Sequence, residues 1–453
     1  MTPDNPYRGR VNEDLALSEV VITSDALQAI PAEVRFHATR LEGDGPKPKV
    51  VIDFEHLQVV NYAAFEGLSD WQRQQITDLH AGDPVRPEEM VFLALKSMFQ
   101  FIWPEPNDPD DARFAAATHA ALTAVLARRA SDVARPFALP EGLLPYWGRL
   151  AFLRVMGELP LDNIERFGLD RVACTLVKKN KFNAMTIVGP DGSLICMNYA
   201  LEPILKHLNA ILLHFFGTKE LAGPKRMARA WNAFLPVVLH FWSDIAATNL
   251  MREPIILYEN QTGVLGHALT ADQLDFILMH ELGHVALDHP RRLQAERKRA
   301  DNVTVLRHEF EFAADGFALG LMRSELINQV KAVLQGDRRS SDDGGVGTMT
   351  ASLLGLQRRL GSAFILFTFM DFIQRAGEML RHRNDGRLRI NDRMDTHPRA
   401  AARLERLELM NLGEYLYTSP LQRYATTFCT DVLDYAAGLD QAELVGGAAA
   451  LAA

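Results

Sequence analysis

The chain has 453 residues, 48% of them hydrophobic and 23% charged, a balance that supplies two or three domains' worth of core and gives no sign of long disordered stretches. Its formal net charge of −9 argues against broad binding to nucleic acid or to anionic membranes. Three cysteines, Cys174, Cys196 and Cys429, are too few and too scattered for a disulfide framework; they fit a reducing compartment and read as small core residues.

In chain order, the opening MTPDNPYRGRVNEDLAL has no apolar signal core. No segment offers the roughly 20 uninterrupted apolar residues of a spanning helix, so a cytoplasmic protein without a membrane span is expected. Residues 1 to about 103 mix short strand-like runs (VVITS, VVIDF) with helical pattern, and PEPNDPDD at 104–111 reads as an exposed connection. A helix-rich stretch follows to about residue 170. Residues 184–199, AMTIVGPDGSLICMNY, read as a β-hairpin turning between Gly189 and Gly192, either plain scaffold or an edge along which an extended peptide can lie.

Helices then dominate, with ALEPILKHLNAILLHFF and the Trp231 to Met251 region as buried candidates. GDRRSSDDGGVG at 336–347 reads as a mobile loop or lid, a long helix spans about 349–382, and AELVGGAAALAA forms a helical end or frayed tail. There is no internal repeat and no heptad run. The organisation expected is an N-terminal α/β region at 1–170, a candidate for substrate selection, then a main domain at 171–440 and a tail at 441–453.

The chemistry concentrates in HELGHVALDH, residues 280–289. Two histidines four apart on a helix lie one above the other, so His280 and His284 can grip one metal ion, while Glu281 between them is placed to polarise a water at the metal's open position. Thr270 and Gln273 resemble a capping box ahead of Leu274, Phe276, Ile277, Leu278, Leu282 and Val285. One continuous helix of about five turns ending at Pro290 is therefore expected. His289, nearly opposite His280 on such a helix, reads as a helix-end histidine and not a ligand.

A hydrolytic zinc site takes three protein ligands and keeps a fourth position for water, so a third ligand is expected downstream. In HEFEFAADGFAL, residues 308–319, His308, Glu311 and Asp315 share one helical face and Glu309 points away. Glu311 is the expected ligand, with His308 an open alternative ligand or pocket residue. Asp315, one turn on, is placed to accept a hydrogen bond from a ligating histidine. Donors of N, N and O type suit one zinc per chain. The metzincin pattern is absent, because Leu287 and Pro290 stand where it needs Gly and His.

The His-Glu-x-x-His helix, followed by Glu311-Phe312-Ala313-Ala314-Asp315 and then by Thr396-His397-Pro398 with Arg403 and Leu404, resembles gluzincin metallopeptidases of the CAAX prenyl protease and HtpX-like heat-shock protease type. The resemblance covers roughly residues 270–407. It implies a zincin-like core, ligands His280, His284 and Glu311, the base Glu281, and His397 and Arg403 close to the catalytic centre. Membrane members of that type place transmembrane helices around these motifs, whereas here the short charged connection RRLQAERKRADN joins the two metal helices. Their substrates are not carried over.

The reading is thus a mainly α-helical α+β protein with a small β-sheet and a zincin-like metallopeptidase core: a zinc endopeptidase acting on a protein or peptide substrate, with Glu281 as base and His397 or Arg403 as donor to the oxyanion. One alternative is a regulatory or defence protease that cuts a single cellular protein. Another is a non-catalytic, metal-stabilised binding or regulatory protein, against which the intact Glu281 argues because metal binding alone does not need it.

Overall fold

The computed structural model describes residues 20–21, 51–52, 68–80, 152, 155–157, 159–177, 182–198, 200–217, 223–243, 260–296, 303–337, 345–390, 397–412 and 419–445. The 104–111 connection, the 338–344 part of the expected lid, Thr396 and the tail beyond residue 445 lie outside the described residues, as does the greater part of region 1–170. The architecture is α+β, mostly helical with a small sheet.

Within VVITS and VVIDF, β1 (Val20–Val21) and β2 (Val51–Ile52) pair antiparallel over two residues each. The sheet that organises the site contains β3 (Val172–Val177), β4 (Ala184–Gly189) and β5 (Gly192–Asn198) in the order β3-β5-β4, with β3 parallel and β4 antiparallel to β5. The expected hairpin is present: Gly189 pairs with Gly192 and leaves Pro190-Asp191 as the turn. Gly192 has φ 149, and a Cβ there would stand 2.3 Å from the Arg171 carbonyl oxygen, so only glycine fits that turn.

Alternation along the strands serves two cores. Ala173, Val177, Leu194 and Cys196 face Ile76 of α1 (Asp70–His80). Val172, Cys174, Ile195 and Met197 face a larger cluster with Ile164 of α2 (Leu161–Phe167). A capping box starts α1: the Ser69 hydroxyl accepts from the Gln72 N–H at 3.2 Å, and the Ser69 N–H donates to Gln72 Oε1 at 3.0 Å. The Gln72 amide then donates to the carbonyls of Arg171 and Ser193, tying α1 to the sheet.

Further helices among the described residues include α3 (Leu201–Gly217), α4 (Pro224–Trp242), α5 (Asn260–Ala286), α6 (His289–Glu296), α7 (Val303–Asp337), α8 (Gly345–His382), α9 (Ala400–Leu412) and α10 (Pro420–Gly438). The helix α8 runs between two apolar clusters. Phe364 and Phe367 join Phe276 and Met279 of α5 in one, while Phe369, Phe372 and Ile373 meet Trp231 and Phe234 of α4 and Phe428 of α10 in the other. Each such buried aromatic stabilises the fold by about 1.5–3 kcal/mol. No helix among the described residues is long and apolar enough to cross a membrane. All three cysteines are buried.

Two expectations about α5 need correction. Thr270 does not cap it, because the helix already begins at Asn260. The Thr270 hydroxyl donates to the Gly266 carbonyl at 2.9 Å, and both Thr270 and Gln273 accept from the buried Asn209 amide of α3 at 2.9 Å; a tertiary partner has claimed the groups that would have capped. At the other end, the helix stops at Ala286, short of Pro290. Asp288 turns the chain with φ 54 and Pro290 falls in the first turn of α6, a position that proline tolerates.

Candidate active site

The site forms where α5 crosses α7. Gly283, between the two histidines of the motif, makes the crossing close: a Cβ there would lie 3.1 Å from the Ala314 Cα and 3.2 Å from its carbonyl oxygen. Helical spacing turns His280 and His284 toward α7 and Glu311 back toward them. His280 Nε2 and His284 Nε2 face each other at 3.1 Å; the Glu311 carboxylate lies 3.5 Å from the first and 3.6 Å from the second. Among the described residues these three form the one group of donors close enough to share a cation. His308, the alternative, is not in it, and its Nε2 is buried without a partner among the described residues.

Asp315 lies behind this triangle. It accepts from His280 Nδ1 at 2.9 Å, so Nε2 is the nitrogen left to face a metal. Arg403 of α9 grips the same carboxylate through Nε at 2.8 Å and Nη2 at 2.6 Å, and its Nη1 lies 3.5 Å from Glu311. The guanidinium is buried over the Phe367 ring, 4.6 Å from its centroid. His397 Nδ1 approaches Glu311 Oε1 at 3.2 Å from the other side, with its own side chain 52% exposed. The structure therefore brings together all seven residues singled out from sequence: His280, Glu281, His284, Glu311, Asp315, His397 and Arg403.

The two candidate oxyanion donors are placed differently. His397 lines an open cleft of about 320 Å³ with Glu281, His284 and Glu311. Arg403 is behind the carboxylates and is not among the described residues lining that cleft, so its contacts are those of a residue that positions others.

Residues 251–418 match the family model of Peptidase U49. The matched segment contains all seven residues just named. The match supports a peptidase family, though not specifically the CAAX prenyl protease and HtpX-like group. No curated protein and no solved structure matches the chain.

Two residues that the sequence does not assign to the site also contact it, Thr186 outside the matched segment and His289 within it. Thr186 of β4 donates its hydroxyl to Glu281 Oε2 at 2.7 Å, placing the outer strand of the sheet directly on the candidate base. His289 approaches His284, Nδ1 to Nδ1, at 2.9 Å. The signal for the second was the Asp288-x-Pro290 break: once α5 ends at Ala286, helical-wheel arithmetic no longer places His289 opposite His280. Thr186 lay in the hairpin already marked as a possible substrate edge, but nothing in the sequence singles it out.

Electrostatics divide the protons unequally. Burial disfavours a charged His280, yet its hydrogen bonds to Asp315 and Glu311 outweigh this and raise its pKa to about 10. Burial and the neighbouring His280 charge push His284 down to about 3. Two ring nitrogens 3.1 Å apart can hold one proton or one cation between them, not two protons. Burial also works against the Glu311 and Asp315 carboxylates. Hydrogen bonds from His280 and His397 hold Glu311 far below the usual carboxylate range, and the Arg403 charge with its hydrogen bonds does the same for Asp315. Glu281 goes the other way, its pKa raised chiefly by burial, as suits a carboxylate that must take up a proton.

The donor types suit zinc. The two imidazole nitrogens are 3.1 Å apart, one Glu311 oxygen lies 3.5 Å from His280 Nε2 and the other 3.6 Å from His284 Nε2, and one ligand atom from each residue can be chosen so that all three lie within 4.8 Å of one another, close enough for bonds of about 2.0–2.2 Å to a shared ion after small adjustments. Three protein donors, two imidazole and one carboxylate, beside an open cleft leave room for a further ligand, unlike a closed four-ligand structural site; His280 would have to lose its extra proton to serve as a donor.

Proposed function

We propose that the chain is a zinc-dependent endopeptidase carrying one zinc on His280, His284 and Glu311. The observation that carries this reading is the grouping of His280, His284 and Glu311, with one ligand atom of each within 4.8 Å of the others, opening onto the cleft beside Glu281. Bound zinc would supply a Lewis acid and acidify a water in its remaining coordination position.

The chain's own groups do the rest. Thr186 occupies one oxygen of Glu281, which leaves the other to take the proton from the attacking water. The same carboxyl returns that proton to the departing amine. His397, at the rim of the cleft, is placed to donate to the oxyanion. Asp315 and Arg403 fix the ring of His280 and the carboxylate of Glu311. An extended substrate would lie along β4, whose residues Ala184, Met185 and Thr186 line the cleft, in the manner of strand addition to a sheet edge. Thr186 on the base favours a hydrolase over a metal-stabilised scaffold, which has no use for an oriented Glu281.

Glu281→Gln tests the reading. The substitution keeps size and hydrogen bonding but removes the base, so fold and zinc content should stay at wild-type levels while proteolysis falls by about 10²-fold to 10⁴-fold. Cleavage at an undiminished rate would exclude the mechanism, and loss of zinc would make Glu281 a structural residue.

A further inference from the structure

We infer that His289 is a positioning residue for the metal centre, holding His284 in the ring orientation that presents Nε2, as Asp315 does for His280. The inference rests on the zinc reading above and assigns a role that the signature motifs leave blank.

The geometry is specific. The Nε2 of His284 points to His280 and Glu311, so its proton must sit on Nδ1, and the atom facing that proton is His289 Nδ1 at 2.9 Å. His289 must therefore accept there, which places its own proton on Nε2. That nitrogen is buried and has no partner among the described residues.

The surroundings fix the ring for this contact. It stacks on Phe310 with centroids 4.3 Å apart and an interplanar angle of 7°, and Phe310 immediately precedes the ligand Glu311. The left-handed turn at Asp288 brings the chain back under the end of α5. Without it, a straight helix would carry residue 289 away from His284.

The two ligating histidines thus have unlike partners. His280 donates to a buried carboxylate that Arg403 neutralises in part, and His284 donates to a neutral imidazole. A second carboxylate in place of His289 would have added another negative charge beside Glu311 and Asp315, making the metal a weaker Lewis acid. A neutral acceptor orients the ring without that charge.

Two substitutions separate acceptance from packing. His289→Asn keeps an acceptor at the Nδ1 position but loses the stacked ring. His289→Phe keeps the ring on Phe310 and loses the acceptor. Zinc affinity is measured by competition with a chromophoric chelator, and the visible spectrum of the cobalt(II)-substituted protein reports ligand geometry; unfolding in excess chelator checks that each variant folds. We expect His289→Phe to bind zinc about 10- to 100-fold more weakly with an altered cobalt spectrum, and His289→Asn to remain close to wild type in both. Wild-type affinity in His289→Phe would overturn the proposal, as would an equal loss in both variants. If the wild-type chain itself takes up neither metal, the zinc reading fails first, and that outcome is recognisable without any variant.

Discussion

Arg403→Met removes the cation that two buried carboxylates share. Asp315 is 1% exposed and Glu311 8%; Arg403 meets the first through two hydrogen bonds of 2.6 and 2.8 Å and approaches the second at 3.5 Å. Methionine matches much of the apolar stem, so the loss is chiefly of charge. Breaking one partner of a buried pair typically costs about 3–5 kcal/mol, because the remaining charge is left uncompensated. With a denaturant slope of about 3 kcal/mol per M, the urea midpoint should fall by about 1–1.7 M, measured in chelator so that metal does not enter. Asp315→Asn removes the stranded charge, and the double variant should be less destabilised than the sum of the singles by about 1–3 kcal/mol. The pH dependence has a fixed sign. Both carboxyl pKa values are depressed in the fold, so their contribution is present above the unfolded value of about 4 and is lost as pH falls through the folded values. The Arg403→Met penalty should therefore be largest near neutrality and fade in acid. A loss below about 1 kcal/mol with no coupling to Asp315 would refute the argument and leave Arg403 an incidental cation.

Thr186→Val, which deletes the hydroxyl on Glu281, should lower kcat/KM by about 10- to 100-fold, the worth of about 1.5–3 kcal/mol for a hydrogen bond to a charged group, while zinc content is unchanged and Thr186→Ser restores activity. Full activity in the valine variant would remove Thr186 from the mechanism. Zinc uptake should release at least one proton per site between pH 7 and 8, because His280, with its pKa held at about 10, must give up its proton to bind and an acidified water would add to the count; calorimetry in buffers of different ionisation enthalpy counts them, and apparent affinity should climb at least about tenfold per pH unit over that range. Proton-neutral binding would contradict this charge assignment. Gly283→Val should force α5 from α7, lowering stability by about 1–3 kcal/mol and weakening zinc retention together; thermal unfolding and metal analysis after gel filtration check both, and destabilisation with full metal retention would mean that the tight crossing does not set the ligand spacing.

The parts of the site legible in the sequence were those fixed by local geometry. Within one helix, spacing alone sets the relative direction of His280, Glu281 and His284, and the same arithmetic put Glu311 and Asp315 on one face and Glu309, which is exposed, on another. The Pro-Asp-Gly turn likewise fixed the hairpin. Composition and helix periodicity were enough for the mostly helical class. His397 and Arg403 were reachable only through resemblance, since the contact from Arg403 to Asp315 spans 88 residues and no periodicity reports such a distance. The Thr186 contact, which spans 95 residues, had neither source.

Local rules also failed at helix ends, for a reason that a single sequence cannot remove. Ser69-x-x-Gln72 and Thr270-x-x-Gln273 carry the same capping signature, yet the first caps α1 and the second is interior to α5. What separates them is Asn209 on another helix, whose buried amide engages Thr270 and Gln273, together with ten further helical residues ahead of Thr270. Asp272 and Asp275, acidic residues in an otherwise apolar stretch, are buried for the same kind of reason, opposite Arg358 and Arg359 of α8. His289 is not in the metal-capable group; what differs from expectation is its placement at the opposite end of that helix, where two residues of turn moved it from the far side of the wheel onto His284. A motif therefore specifies chemistry most reliably inside the regular element that carries it; the groups that contact its histidines, here His289, Asp315 and Arg403, come from the next turn of chain or from other helices, where tertiary packing decides.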